Sequence, residues 1–346
     1  MASSVALRLL GVWGRTLKKR SSIIVTVVLL SSVALLHTAS QAQRPGSGGE
    51  YEGGESEDED EDDSISPAMI VEILHRLQEG VSSVATWCRR MARLGGKVTC
   101  SCEKKECSLD GAKLLCLDDD VRPVPGDCFA LNFGIGFELT FDEALVKYGC
   151  KVIALDPTNG NITNMLHNVS IATAVKGVKT SNSRTFHALN LGLDDKDNTL
   201  VLNVTFDSIH YSRNLASYFT YRSVLNILDN PRTDLLKIDI EGTEWRVLKQ
   251  ILTSPEAPRL LQHVRQILLE IHLDFLHGQT DVDSLIDGTR TTLGVLQRLR
   301  TFGFHLAAYE LNENGQKYFS YGEVKIPLYR ELTLIRRLPN RRTSRP

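Results

Sequence analysis

Hydrophobic residues along the chain follow three successive patterns. From Ser21 to Gln43 the run SSIIVTVVLLSSVALLHTASQAQ carries no formal charge with His37 neutral, and its apolar stretch approaches the ~18–20 residues that span a bilayer. From Gly46 to Asp63 apolar side chains are almost absent. After Ser66-Pro67, AMIVEILHRLQEGVSSVATWCRRMARLGG places apolar residues at helical spacing, which predicts an amphipathic helix stopped by Gly95-Gly96. The pattern then alternates. DCFALNF, KVIALD, TFHALNLG, LLKIDI and QILLEIHL are short apolar runs that end in polar or glycine residues, and most are separated by segments able to hold a helix. Such alternation predicts βαβ units, hence an α/β fold with a mostly parallel sheet. TLGVLQRLRTFGFHLAAYEL and PLYRELTLIRR add a helix and two strands, the last forming an antiparallel pair.

Charge divides the 346 residues more sharply than hydropathy does. Residues 1–49 carry six Lys/Arg and no acid, residues 50–63 carry ten Asp/Glu and no base, and the remainder is balanced at 34 against 32. The net charge of −2 therefore describes no single part of the chain. The balanced body is not that of a broadly basic nucleic-acid binder, and no nucleic-acid partner is expected. Residues 1–43 read as a basic leader with either a cleaved signal peptide or a retained anchor, the basic cluster favouring a cytoplasmic amino terminus and a lumenal body. Residues 44–63 read as an acidic, glycine-rich linker that cannot bury enough surface to offset its ordering entropy. The predicted organisation continues with an amino-terminal helix and Cys-rich segment over 64–128, the main domain over 129–338 and a basic tail over 339–346. The arginines of RRLPNRRTSRP make a solvated end or a contact for acidic glycans or phospholipid heads.

Two features agree with a lumenal or secreted body. Asn161, Asn168 and Asn203 each open a glycosylation acceptor triplet. Seven cysteines, at 88, 100, 102, 107, 116, 128 and 150, lack the paired CxxC spacing of a zinc site, so disulfides are the expected state in an oxidising compartment. An odd count leaves at least one thiol without a partner in the chain. Cys150, entering the buried run KVIALD, is the expected free one.

In a parallel sheet, ligands bind beyond the carboxyl ends of the strands near the switch in strand order. The first such end reads Asn132-Phe133-Gly134-Ile135-Gly136-Phe137-Glu138. Its glycines permit a sharp turn and close approach of a ligand to the backbone. The second strand ends at Asp156, 22 residues after Gly134, where a carboxylate can accept bonds from two ribose hydroxyls. The turn has neither GxGxxG nor a P-loop, so a cofactor with adenosine but no phosphate, S-adenosylmethionine, fits best. Asp239, Glu241, Glu270 and His272 fall at strand ends on the same side and are the candidate base and acceptor-binding groups. Two of these have structural alternatives, Asp239 as an ion pair with Lys237 and His272 as a satisfied imidazole. Trp245 reads as core.

These motifs carry a resemblance. Asp207-Ser208-Ile209, the stretch LLKIDIEGTEW running into Arg246-Val247-Leu248, and Leu268-Leu269-Glu270-Ile271-His272 resemble the ordered motifs of FkbM-type methyltransferases. The stretch from about Val98 to Arg337 is similar to the methyltransferase-like protein 24 group within that class. The resemblance implies a Rossmann-like seven-stranded methyltransferase fold, with a mostly parallel sheet and an antiparallel carboxy-terminal strand, that binds S-adenosylmethionine. It puts Asn132, Gly134 and Gly136 in the first cofactor loop, Asp156 at the ribose, Gly192 near the adenine, and Asp239 and Glu241 beside the reacting methyl. The sequence departs from the acidic-x-Gly-x-Gly-x-Gly loop at Asn132, which replaces the acid, and at Glu138, which stands at the third glycine.

The function expected is a methyltransferase of the secretory pathway, acting on a hydroxyl of a glycan, peptide or small metabolite and membrane-bound through the amino-terminal segment if that is uncleaved. The competing reading is a secretory-pathway binding protein that keeps the fold without turnover. If the body is lumenal, glycosidase treatment of protein expressed in animal cells should increase its gel mobility. Unchanged mobility, with the body open to protease from the cytosol, overturns that topology.

Overall fold

The computed structural model describes residues 65–101, 106–136, 138–158, 186–207, 210–277, 281–312 and 316–337. The leader, the acidic linker, the basic tail, Cys102, and the acceptor triplets at Asn161 and Asn168 lie outside the described residues. None of the described helices is long and apolar enough to cross a membrane.

Helix α1 (Pro67–Ser82) opens as its sequence predicts, with Ser66 accepting a bond from the Met69 amide and Pro67 in the first turn. Ile70, Leu74, Leu77 and Val81 form its buried stripe and join the same apolar core as the central sheet. The helix stops thirteen residues short of the predicted glycine stop at Gly95. Ser82, Ser83 and Val84 are weak helix formers, the Ala85 and Thr86 amides bond to Leu306, and Cys88 is drawn into a disulfide with Cys116. Strand β1 (Met91–Leu94) then pairs antiparallel with β4 (Lys113–Cys116), enclosing the hairpin of β2 (Lys97–Ser101) and β3 (Glu106–Asp110).

The predicted βαβ alternation builds the central sheet. β5 (Cys128–Phe133), α2 (Thr140–Tyr148), β6 (Cys150–Leu155) and β7 (Phe186–Leu189) lead to β8 (Gly192–Leu193) and an antiparallel hairpin of β9 (Asn198–Asp207) and β10 (His210–Phe219). α3 (Tyr221–Ile227), β11 (Leu235–Ile238), α4 (Glu244–Thr253), α5 (Ala257–Leu260), β12 (Gln266–His272) and α6 (Val282–Thr301) follow. The chain ends with β13 (Phe304–Leu311), a hairpin of β14 (Tyr318–Tyr321) and β15 (Val324–Pro327), and β16 (Tyr329–Arg336). Seven strands lie in the order β13-β16-β12-β11-β5-β6-β7. All are parallel except β16, which runs antiparallel to both neighbours. This is the expected seven-stranded, Rossmann-like sheet with its antiparallel carboxy-terminal strand. The order reverses between β5 and β11, so a crevice opens beyond their carboxyl ends.

The expectation of a free Cys150 is overturned. Cys128 and Cys150 are register partners on β5 and β6, with Cα atoms 4.7 Å apart, and they form a disulfide. A small residue entering a buried strand looks like simple packing, and only the register brings the second thiol opposite it. Cys100 and Cys107 are likewise cross-strand partners and are bridged. Mass spectrometry of non-reduced peptides should recover the pairs 88–116, 100–107 and 128–150. Replacing Cys128 and Cys150 together by Ala should cost about 3 kcal/mol in denaturant unfolding.

Candidate active site

A cavity of about 750 Å³ opens at the predicted switch point, and Asn132, Gly134, Gly136, Asp156, Asp239, Glu241, Glu270 and His272 all line it. Gly192 does not. A Cβ at that position would lie 2.3 Å from the Tyr218 ring, so Gly192 is kept small by an aromatic neighbour, and Leu193, Asp194 and Tyr218 form the wall in its place.

The two glycines of the β5 turn serve different ends. At Gly134 (φ +87°) a Cβ would fall 1.6 Å from the Asp239 carbonyl oxygen, so this glycine lets the ends of β5 and β11 touch. At Gly136 (φ +57°) no atom of the described residues beyond its chain neighbours lies within 4 Å of a Cβ position, so the turn lines the cavity there without a side chain. Asp156 fixes the turn between them. One of its carboxylate oxygens accepts the Ile135 and Gly136 amides, each at 2.8 Å, and the other accepts the Thr158 amide and hydroxyl. Its position is the predicted one, and its oxygens organise the loop and the turn that follows. Glu138, at the third glycine position, accepts the Thr140 amide at the start of α2.

Asn132 replaces the acid expected at the start of the loop, and the structure supplies a carboxylate from elsewhere. Its amide nitrogen donates to both oxygens of Asp142 at 2.8 and 2.9 Å, while its own Oδ1 is buried without a hydrogen-bond partner among the described residues. Burial pushes the Asp142 carboxyl up to about 6, against the Asn132 bonds that favour its ionised form. Asp142 lines the cavity, yet in the sequence it reads only as an acid in the first turn of a helix.

Opposite the glycine turn lies a compact ionic cluster. Lys237 reaches Asp239 at 3.1 Å and also bonds to the Gly134 carbonyl, which bears out the ion-pair reading of that pair. Lys113, on β4 and almost fully buried, contacts Glu331, Glu270 at 2.9 Å and Asp239 at 3.7 Å. Glu270 and Glu331 face one another across β12 and β16. Burial opposes ionisation of Glu270, but Lys113 overrides it and holds that carboxyl well below the ordinary range. Burial raises Asp239 and, more strongly, Glu331. The spacing of Asp239, Glu270 and His272 would suit a metal ion, but two ammonium groups already neutralise the carboxylates there.

His272 sits between carboxylates. Its Nδ1 lies 3.1 Å from Glu244, which has no exposed surface, and its Nε2 3.5 Å from Glu241. Burial disfavours the imidazolium, but the bond and charge of Glu244 outweigh it and raise the imidazole to about 9. Glu244 also accepts the Ile240 and Gly242 amides, binding the β11 loop to the end of β12. That loop carries Glu241 in the left-handed region, φ +55°, a conformation that costs a non-glycine residue energy. Trp245 is core, its indole donating to the His272 carbonyl at 3.0 Å.

A sequence model of the methyltransferase FkbM domain family matches residues 127–306. The chain is 26% identical over 167 residues to methyltransferase-like protein 24 of Rattus norvegicus, which covers 46% of this chain and 38% of that protein. It therefore spans well under half the length of that relative. Among solved structures, it is similar to a Methanococcus jannaschii fibrillarin pre-rRNA processing protein at 9% identity, covering 69% of this chain and 82% of that one with a TM-score of 0.34. A second is the carboxy-terminal domain of a Rhodobacter capsulatus precorrin-6Y C5,15-methyltransferase, at 12% identity, covering 63% and 84% with a TM-score of 0.30. At such scores the overlays add nothing to the strand order itself.

The Glu244–His272 pair has a pH signature. The imidazole is raised from 6.5 unfolded to about 9 folded, so its contribution is fully present below pH 6.5 and is lost as pH rises through 9. Denaturant unfolding should show a loss of up to about 3 kcal/mol between pH 6.5 and 9.5. Glu244→Gln should be less stable at pH 6.5 and lose most of that pH dependence.

Proposed function

The chain belongs to the FkbM methyltransferase family, and from that premise we propose that it is an S-adenosylmethionine-dependent O-methyltransferase of the secretory pathway. The observation that carries the cofactor reading is the cavity at the switch point, lined by Gly136, which has no side chain, by Asn132, whose Oδ1 has no hydrogen-bond partner among the described residues, and by the buried Asp142. An orphaned acceptor beside a buried acid suits an ammonium group, as the methionine end of the cofactor requires. Thr158, Leu193 and Tyr218 also line the cavity, beside the turn that Asp156 holds with both carboxylate oxygens, and suit an adenosine with its ribose. No phosphate is needed for either fit. When bound, the cofactor supplies a sulfonium methyl open to in-line displacement.

This chain's residues would align the acceptor and hold its proton. Asp239 and Glu270 present negative charge to the cavity beside the Gly134 turn, which favours a cationic sulfonium. His272, raised to about 9, is an imidazolium at neutral pH and acts as a hydrogen-bond donor rather than a base. Removal of a hydroxyl proton then falls to Asp239 or to Glu241, which stands exposed at the cavity mouth. The family supports a hydroxyl acceptor on a glycan, peptide or small metabolite, and three disulfides support the oxidising lumen as its setting.

Gly136→Asn tests the cradle, since asparagine tolerates a positive φ better than other side chains and its Cβ would have no atom of the described residues beyond its chain neighbours within 4 Å. Calorimetry should show S-adenosylmethionine affinity reduced by about tenfold or more (over about 1.4 kcal/mol), with the thermal midpoint within a few degrees of wild type. An unchanged Kd removes the proposed pocket. Transfer of labelled methyl from the cofactor to a hydroxyl-bearing fraction of a secretory-pathway extract tests the reaction itself.

A further inference from the structure

Lys113 and Glu331 both lie outside the stretch matched by the family, residues 127–306, yet both sit in the ionic cluster at the base of the cavity. Lys113 arrives on β4, a strand that is no part of the central sheet. Cys116, three residues further on the same strand, is tied to Cys88. The strand is also seated by Gln266, whose side chain bonds to both the amide and the carbonyl of Cys116. Thr333 of β16 donates to the Leu114 carbonyl. The buried ammonium thus has little room to choose other partners.

We propose that Lys113 is a positioning residue of the transferase site, a fixed buried cation that sets how much negative charge Asp239 and Glu270 present to the cofactor's sulfonium. The inference rests on the cofactor reading above. Without Lys113, the same carboxylates at pH 8 would present one more unit of uncompensated negative charge and be free to swing toward other partners. With it, Glu270 stays ionised and in place. The balance matters for turnover, because the cofactor is a cation before transfer and its product, S-adenosylhomocysteine, is neutral at sulfur. A cluster that is too negative would favour the reactant ground state, and one that is too positive would repel it.

The test compares the two ligands on the same protein at pH 8. Lys113→Met removes one positive charge, so the ratio of the S-adenosylhomocysteine Kd to the S-adenosylmethionine Kd should rise by at least about tenfold, the effect of one unit charge ~12 Å away at an effective dielectric near 20. Lys113→Arg should keep the ratio within about twofold of wild type. A purely structural lysine would weaken both ligands alike, and a folded Lys113→Met protein with an unchanged ratio overturns the proposal. If Lys113→Met does not fold, Lys113→Met/Glu270→Gln removes the charge with its partner. The double variant should fold and keep the ratio near wild type, whereas a tenfold departure overturns the proposal. Failure of wild-type protein to bind either ligand would instead defeat the cofactor reading.

Discussion

Buried negative charge is the constraint that the site depends on. Asp239, Glu270 and Glu331 converge where there is little water to screen them, and carboxylates so placed repel one another by several kcal/mol unless cations or protons intervene. Lys237, near the end of β11, answers Asp239 just beyond it, two residues away. Lys113 answers Glu270 and Glu331 from a different part of the chain. The segment before β5 is therefore not an appendage laid on a finished domain. Removing it would leave the floor of the cavity with uncompensated acids, in addition to stripping α1 from the core it shares with the sheet.

The remaining geometry follows from how closely β5 and β11 approach. Their ends touch because Gly134 has no Cβ to meet the Asp239 carbonyl, and this contact places the glycine turn over the acidic cluster. Glu244 then secures the far side, bonding the β11 loop amides and the His272 ring with one carboxylate oxygen. Loop, strand end and helix start are thereby coupled, so a change at Glu244 should be felt at Glu241 and His272 together.

What was legible in the sequence is what short-range pattern encodes. Strand ends after apolar runs announced Asn132, Asp156, Asp239 and Glu270, because in a parallel sheet such ends share one side. Lys113 was not legible. A lone lysine in GAKLLC looks solvated, and its burial is decided by Glu270 and Glu331, which lie 157 and 218 residues away. Asp142 was missed for a related reason, since an acid in a first helical turn needs no other explanation. The overextended first helix and the free Cys150 were errors of the same kind. In both, a disulfide partner distant in sequence helped to override what the local pattern suggested.

The four groups that sequence position alone made equivalent are separated by their surroundings. Glu270 is ionised and engaged by Lys113, and the Asn312 amide donates to it as well, so its lone pairs are largely committed. His272 already carries a proton at neutral pH because Glu244 holds it there. Asp239 differs in kind. It is half-buried, burial raises its carboxyl, and Lys237 offsets that only in part, which brings its basicity nearer to what a proton acceptor at neutral pH requires. On the proposed hydroxyl acceptor, a carboxylate poised in this way between two lysines and a protonated histidine would take the proton only as the acceptor oxygen becomes positive during methyl transfer. The cluster therefore suits late proton removal rather than prior formation of an alkoxide, which Asp239 could not generate from an ordinary alcohol.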